Sequence, residues 1–244
     1  GAEPVTMRRA QAMLDSQGLV FDRHDNRDPY KMEFCWNRDD VHHYGFQGDG
    51  PFDLLEVVRH VKPTVLIGTT ATPGVFSDAV IREMARHVDR PIIMPLSNPT
   101  SRIECSPYEA FKWTDGRAIV ATGSPFSPLE VNGSMRHIGQ ANNVYIFPGI
   151  GLGAILAETR EVTDSMFLVA AEELAACVGD DDLAVGRIYP DQSQLRRVAR
   201  AIAAGVIREA RQLNVGRMIP DQAIDATLDA FIWFPEYGEV DVVD

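Results

Sequence analysis

Residues 65–98 read VLIGTTATPGVFSDAVIREMARHVDRPIIMPLSN, and this stretch decides the fold. VLIG at 65–68 is an apolar run that predicts a buried strand, and a turn of small residues follows it. SDAVIREMARHV at 77–88 then places its apolar residues on one helical face, with Ser77 as the N-cap. PIIMPL at 91–96 predicts a second strand. Strands alternating with helices over short connections are typical of a parallel sheet covered by helices.

The alternation continues on both sides of that stretch. Ser106 and Glu109 have the spacing of a capping box, and Pro107 between them suits the first helical position, so a short helix is expected. AIVATG at 118–123 predicts a third strand, and FDLLEVVRHV at 52–61 has helical spacing. The chain is therefore expected to be an α/β protein with a parallel sheet.

The rest of the chain divides into a polar segment and a helical tail. Residues 22–50 are rich in Asp, Arg, His and Asn, and an irregular excursion is expected there. The C-terminal part carries three long helical patterns. We therefore expect a sheet-bearing domain over residues 1–160 and a helical extension over 161–244 that packs on it.

Composition excludes several classes of function. The 244 residues carry 35 acidic and 23 basic side chains, and the net charge of −12 argues against a nucleic-acid-binding surface. The longest nearly apolar run, 144–157, is too short to span a bilayer, so no membrane partner is expected. The three cysteines, Cys35, Cys105 and Cys177, lack metal-type spacing and are expected to be reduced thiols. With no signal-peptide pattern at the start, the expected location is cytoplasmic.

Four residues are expected at the carboxyl ends of strands, where open α/β sheets bind ligands. These are Asp15, Gly68, Asn98 and Gly123. An acid in the position of Asp15 can accept hydrogen bonds from an adenosine ribose, although it can also be an ordinary turn residue. No glycine-rich dinucleotide fingerprint precedes it, so a complete dinucleotide site is not visible in the chain.

The loop from Gly68 to Gly74 can bring a cofactor close to the backbone at Gly68 and Thr69, but its pattern also fits a tight turn between strand and helix. Asn98 precedes a proline and can point its amide out of a turn, although asparagine is common in turns for its own sake. The pair Asn142 and Asn143 leads into an apolar segment. Its amides need partners, which a ligand or a capping role could supply.

No metal-binding pattern is present in the sequence. His42 and His43 are adjacent, so their side chains diverge on any regular element, and no HExxH motif occurs. Asp180, Asp181 and Asp182 are expected to be solvated residues at a helix start.

Several long motifs, in the same order and with the same spacing, resemble segments of the malic enzymes. That family comprises NAD(P)-dependent oxidative decarboxylases of malate. The similarity extends from about Met13 to Tyr237 and is closest to the large-subunit bacterial NAD-dependent type. The motifs are LDSQGLV (14–20), VKPTVLIGTTATPGVFS (61–77), RPIIMPLSNPTSRIECSP (90–107), GRAIVATGSPFSP (116–128), GQANNVYIFPGIGLG (139–153) and WFPEY (233–237).

The resemblance implies a fold and a reaction. Residues 1–160 would be a partial NAD(P)-binding Rossmann-like domain, lacking its first glycine-rich βα unit. The parent enzyme would oxidise L-malate with NAD and decarboxylate it to pyruvate and CO2, with Mg²⁺ or Mn²⁺ as its metal, and would be a homo-oligomer, either a dimer or a tetramer. By the same resemblance, Asp15, Gly68, Thr69, Asn98 and Asn142 would bind the cofactor. Malate would contact Asn98, Asn142 and Asn143.

The resemblance also implies that catalytic parts of the family lie outside this chain. These are a Tyr, a Lys, a substrate-binding Arg and three carboxylate metal ligands. Lys31, Lys62 and Lys112 are poor substitutes for the missing base, so no catalytic residue is expected here. Alternatives remain open: a malolactic reaction, a non-catalytic nucleotide-binding or regulatory module, and use of NADP. Asp15 disfavours NADP, whereas Arg23 leaves it open.

Overall fold

The computed structural model describes residues 3–22 and 28–233, which form two compact units. Of these residues, those up to Ala141 and Val185–Arg187 form the first unit, and Asn142–Ala184 and those from Ile188 onward form the second. The strands are β1 (Leu14–Asp15), β2 (Gly18–Leu19), β3 (Val65–Gly68), β4 (Ile92–Pro95), β5 (Ile119–Thr122), β6 (Leu129–Val131), β7 (Ser134–Arg136) and β8 (Gly139–Gln140). The helices are α1 (Pro4–Arg9), α2 (Pro29–Met32), α3 (Arg38–His43), α4 (Leu54–Val61), α5 (Asp78–His87), α6 (Pro107–Trp113), α7 (Phe147–Leu156), α8 (Asp164–Ala176), α9 (Asp180–Ala184), α10 (Leu195–Gln212) and α11 (Asp221–Phe231).

The first unit contains the expected parallel sheet. Its strand order is β3-β4-β5-β8, and each neighbouring pair is parallel. Val65 lies beside Ile92, and Ile92 beside Ile119. The predicted β-α-β-α-β pattern is therefore confirmed, and β8 adds a fourth strand that the sequence did not indicate.

Local sequence explains where the helices on this sheet begin. The Ser77 side chain accepts a hydrogen bond from the Val80 amide and starts α5. The capping box predicted for α6 is present, because Ser106 and Glu109 each accept a hydrogen bond from the other's backbone amide. Both helices pack on the face of the sheet that buries Leu66, Ile93 and Val120.

The opposite face of the sheet is more open. Val65 and Ile67 on β3 are 41% and 59% exposed, although both are apolar. Side chains alternate between the two faces along a strand, so Leu66 between them is buried. At the edge strand β3, the sheet is therefore closely covered on one face only.

Residues 28–50 are folded, which corrects the expectation of an irregular excursion. They include α2 and α3, and they build an aromatic cluster around the fully buried Trp36 and Phe46. The Trp36 indole donates a hydrogen bond to the Gln11 carbonyl at 2.6 Å. Widely spaced aromatic residues make this small core, and their spacing gave no periodic signal in the sequence.

The second unit is helical, as expected for the end of the chain. Its core is centred on α10, which buries Val198, Ile202 and Val206. α7 and α10 lie close together, because a Cβ at Gly149 would be 2.6 Å from the Ile202 Cβ. The three helices predicted after residue 160 are confirmed as α8, α10 and α11.

The two units separate at Ala141 and Asn142, so the domain boundary expected at residue 160 falls inside the second unit. The segment that includes α7 accounts for the difference, because its core contacts are with α10. No helix within the described residues is both long and apolar enough to cross a membrane.

Candidate functional site at the carboxyl edge of the sheet

Three turns meet at the carboxyl edge of the parallel sheet. They follow β3 at Gly68, β4 at Ser97 and Asn98, and β5 at Gly123. A Cβ at Gly123 would lie 2.2 Å from the Leu96 carbonyl oxygen, so only glycine permits this close approach of two turns. The structure thus brings together three of the four residues that were expected at strand ends.

Asn98 is exposed at this edge, and its side-chain oxygen is already engaged. The Ser124 hydroxyl donates a hydrogen bond to Asn98 Oδ1. Within residues 3–22 and 28–233, no group accepts a hydrogen bond from Asn98 Nδ2. The amide nitrogen is therefore the part of this side chain that can donate to a ligand carbonyl or carboxylate.

Behind the exposed edge lies a buried carboxylate, Glu104, which joins the turns after β3 and β4. Its Oε1 accepts hydrogen bonds from the Thr70 amide at 2.7 Å, the Thr70 hydroxyl at 2.9 Å and the Ser97 hydroxyl at 2.5 Å. Its Oε2 accepts a longer one from the Ser97 amide at 3.3 Å. We refer to Glu104, Thr70 and Ser97 as the Glu104 clamp.

The clamp keeps Glu104 ionised although the residue is fully buried. Burial by itself would raise the pKa of the carboxyl. Hydrogen bonds from Ser97 and Thr70 outweigh that effect, and the pKa lies below the ordinary value for glutamate. Every partner of Glu104 is a hydrogen-bond donor, so one carboxylate accepts from the turn after β3 and from the turn after β4. It therefore holds the two turns at a fixed separation.

Gly68 makes room for the clamp. A Cβ at Gly68 would lie 2.7 Å from Glu104 Cδ and from the Phe76 ring. The space beside this glycine is therefore filled by the protein itself, which gives a structural reason for glycine at the end of β3. Thr69 follows it and is exposed at the sheet edge.

Asp15 lies elsewhere, which corrects its expected place at the carboxyl edge of the parallel sheet. β1 pairs antiparallel with β2 in a separate two-stranded hairpin, where Asp15 lies opposite Gly18. Lys31 Nζ contacts Asp15 Oδ2 at 2.5 Å, and the Gln17 amide donates to Oδ1 at 2.8 Å. The hydrogen bond to Asp15 raises the pKa of Lys31.

Asn142 and Asn143 belong to the second unit. Asn142 caps the 3-10 helix Asn143–Tyr145, because its Oδ1 accepts a hydrogen bond from the Val144 amide at 2.9 Å. This is the capping role that the sequence left open, and it leaves the Asn142 amide nitrogen as a possible donor. Asn143 is exposed.

The described residues do not fit a divalent metal site. Among them, no three His, Cys, Asp or Glu side chains come together in a way that could hold an ion. Cys35, Cys105 and Cys177 are free thiols.

Sequence reasoning missed the Glu104 clamp. The motifs and spacings of the sequence predicted no role for Glu104. One signal could have revealed it: an acid between the apolar Ile103 and Cys105, shortly after a strand whose turn contains a hydroxyl residue. Ionisable residues in apolar segments are seldom buried without partners.

Comparison with known proteins shows which family the chain resembles. The family model for the NAD-binding domain of malic enzymes matches residues 1–211 of the sequence. The NAD-dependent malic enzyme of Pseudomonas aeruginosa (strain UCBPP-PA14) is 40% identical over 237 residues, which are 97% of this chain and 42% of that protein. The NAD-dependent malic enzyme 3 of Bacillus subtilis (strain 168) is 41% identical over 228 residues, which are 93% of this chain and 40% of that protein. The chain thus spans about two fifths of the length of these relatives.

Solved structures agree with the sequence comparisons. The crystal structure of Entamoeba histolytica malic enzyme matches with a TM-score of 0.68 and 25% identity, covering 90% of this chain and 40% of that one. The malic enzyme from Pyrococcus horikoshii OT3 matches with a TM-score of 0.65 and 24% identity, covering 89% of this chain and 45% of that one. The second likeness concerns the fold alone.

Proposed function

The chain belongs to the malic enzyme family, as its NAD-binding domain, and from this premise we propose that it supplies the dinucleotide-binding edge of a longer NAD-dependent enzyme. That enzyme would oxidise L-malate and decarboxylate it to pyruvate and CO2. The observation that carries the proposal is the carboxyl edge of the sheet, where an exposed amide donor and an exposed threonine stand on turns fixed from behind by Glu104.

The edge suits the nicotinamide half of NAD. Asn98 Nδ2 can donate to the cofactor's carboxamide or to a malate carboxylate, because Ser124 already occupies Oδ1. Gly68 and Thr69 would line the cofactor on the neighbouring turn. When bound, NAD supplies the electron acceptor for oxidation of the malate hydroxyl group. The described residues would bind the cofactor, orient it and shield it.

Three further residues are assigned on the strength of the resemblance. Asn142 and Asn143 would donate hydrogen bonds to malate, and Asn142 also to the cofactor. Asp15 would accept hydrogen bonds from the adenosine ribose, and it would have to exchange its contact with Lys31 for that role. The preference for NAD over NADP follows from Asp15, since a carboxylate repels a 2′-phosphate. Arg23, which left NADP open, is outside the described residues.

The Asn98 proposal is tested by titrating NAD into the longer enzyme by calorimetry. Asn98→Ala should weaken binding by about tenfold, the effect of one lost hydrogen bond to a ligand. Lys112→Ala, an exposed change on α6, serves as the control and should bind as the wild type does. Equal NAD affinity in Asn98→Ala and the wild type would remove Asn98 from the site.

A turnover assay tests the division of labour between this chain and the rest of the enzyme. The 27.0 kDa chain, verified by intact mass, should form no NADH from malate, NAD and Mn²⁺. The longer enzyme should form NADH and pyruvate, using Mg²⁺ or Mn²⁺ held by ligands outside this chain. Turnover by the chain alone would refute the proposal. Lactate without net NADH from the longer enzyme would favour the malolactic reaction, and failure of both would favour a non-catalytic module.

We also propose that the longer enzyme is a cytoplasmic homo-oligomer, a dimer or a tetramer, as the resemblance implies. Light scattering coupled to size-exclusion chromatography measures the oligomer. A monomeric mass across micromolar concentrations would contradict it.

A further inference from the structure

A second cavity lies at the opposite edge of the same sheet, where β4 and β5 begin. Its volume is about 310 Å³, and Arg90, Arg117 and Arg136 are among its lining residues. Arg90 stands two residues before β4, and Arg117 stands two residues before β5. We call it the arginine cavity. It lies at the amino ends of the strands, whereas the proposed NAD site lies at their carboxyl ends.

The hairpin of β6 and β7 forms one wall of the cavity and carries Arg136 at its end. The hairpin turn is attached to the turn before β5, because Asn132 Nδ2 donates a hydrogen bond to the Asp115 carbonyl at 3.0 Å. Both turns line the cavity. Its shape is therefore set by the fold of the first unit.

The three arginines differ in how far they are already satisfied. Arg117 donates to the carbonyls of Ala85, Val88 and Asp89, so it closes the C-terminal end of α5. Arg136 Nε is buried without a hydrogen-bond partner, and across residues 3–22 and 28–233 it is the one buried side-chain nitrogen or oxygen of which this is true. Arg90 is exposed and has no ion pair or hydrogen bond within the described residues.

An unpaired buried donor costs stability, so such a group in a folded protein calls for an acceptor. The cavity's lining contains three guanidinium groups and two carboxylates, Asp89 and Asp115, which leaves one net positive charge. Asp89 faces Arg117 at 3.8 Å, so its charge is partly compensated. A local excess of positive charge stands out on a chain whose net charge is −12.

We propose that the arginine cavity binds a small oxyanion of the phosphate class, with the guanidinium groups of Arg136 and Arg90 as donors. Guanidinium groups match the geometry of phosphate oxygens and bind them with charge-assisted hydrogen bonds. Arg117 adds positive potential while it keeps its contacts to α5. The proposal is independent of NAD binding, since it uses other residues at the other edge of the sheet.

The test titrates inorganic phosphate into the full chain at constant ionic strength and follows backbone amide resonances. Saturable shifts are expected at Gly116, Ala118 and Gly186, which line the cavity. Arg136→Gln should weaken binding by about tenfold or more, the effect of one charged hydrogen bond. Arg90→Gln, an exposed change that should not disturb folding, should also weaken it.

Arg86→Gln is the matched control, because it removes the same charge from an exposed position on α5. It should leave phosphate affinity unchanged. The proposal is overturned by shifts that never saturate, by an equal loss in Arg86→Gln, or by shifts at the amides of Thr69 to Thr72 instead. Tighter binding of malonate than of phosphate would overturn the phosphate class.

Discussion

Replacement of Glu104 tests whether the clamp holds the carboxyl edge together. Glu104→Ala deletes the acceptor of two donors on the buried Ser97, its hydroxyl and its amide. An unsatisfied buried donor costs about 2 kcal/mol, so the two together should cost about 4 kcal/mol. The exposed Thr70 can turn to water and adds little. Urea unfolding of the chain measures this loss.

Glu104→Gln should cost less, about 2 kcal/mol. A glutamine oxygen can take the place of Oε1 and accept the same three hydrogen bonds, while its amide group faces the Ser97 amide, so two donors oppose each other there. Glu130→Gln makes the same chemical change at an exposed position on β6 and should stay within about 0.5 kcal/mol of the wild type.

The Glu104 clamp leads to two further predictions, one for amide hydrogen exchange and one for the pH dependence of stability. Amide hydrogen exchange at Thr70 and Ser97 should accelerate in Glu104→Ala, because Glu104 accepts hydrogen bonds from both amides. Since the folded pKa of Glu104 is lowered, its contribution should be present above the ordinary glutamate pKa and lost as pH falls through the folded pKa. If Glu104→Ala unfolds at the same urea concentration as Glu130→Gln, the reasoning about the clamp is wrong.

Three other predictions concern single residues. Asp40 is fully buried against Arg8 and Arg9, and its pKa is lowered to about 2. Its ionised form should therefore contribute about 2 kcal/mol to the free energy of unfolding above pH ~4, and this contribution should be lost toward pH ~2. Asp40→Asn should flatten the fall of the unfolding free energy between these pH values, and an unchanged fall would show that Asp40 does not cause it. On α7, Gly149→Ala should destabilise the chain by about 1–3 kcal/mol, because the added methyl group overpacks against α10. Gly151 has open space around it, so Gly151→Ala should stabilise the chain by up to about 1 kcal/mol. Equal shifts of the melting temperature in the two variants would contradict this prediction. Burial raises the pKa of Cys105 to about 12, so its thiol should react with a disulfide reagent at pH 8 only after denaturation, as peptide mapping would reveal.

Local patterns were sufficient for the parallel sheet and its helices. The strand at 65–68, the N-cap at Ser77 and the capping box at Ser106 each act within a few residues, so the sequence carries the whole signal. The same holds for the long helices of the second unit. The aromatic cluster around Trp36 gave no such signal, because its members come from separate segments and share no period.

The candidate site divides in the same way. The sequence by itself determined the strand ends at Gly68 and Asn98, and its motifs indicated the family, because these features are read from consecutive residues. Only the tertiary structure decided that Glu104 joins the turns after β3 and β4, and that Asp15 lies in a separate antiparallel hairpin. The physical reason is distance along the chain: Glu104 meets Thr70 across 34 positions, and this hydrogen bond brings together turns that become neighbours when β3 and β4 pair.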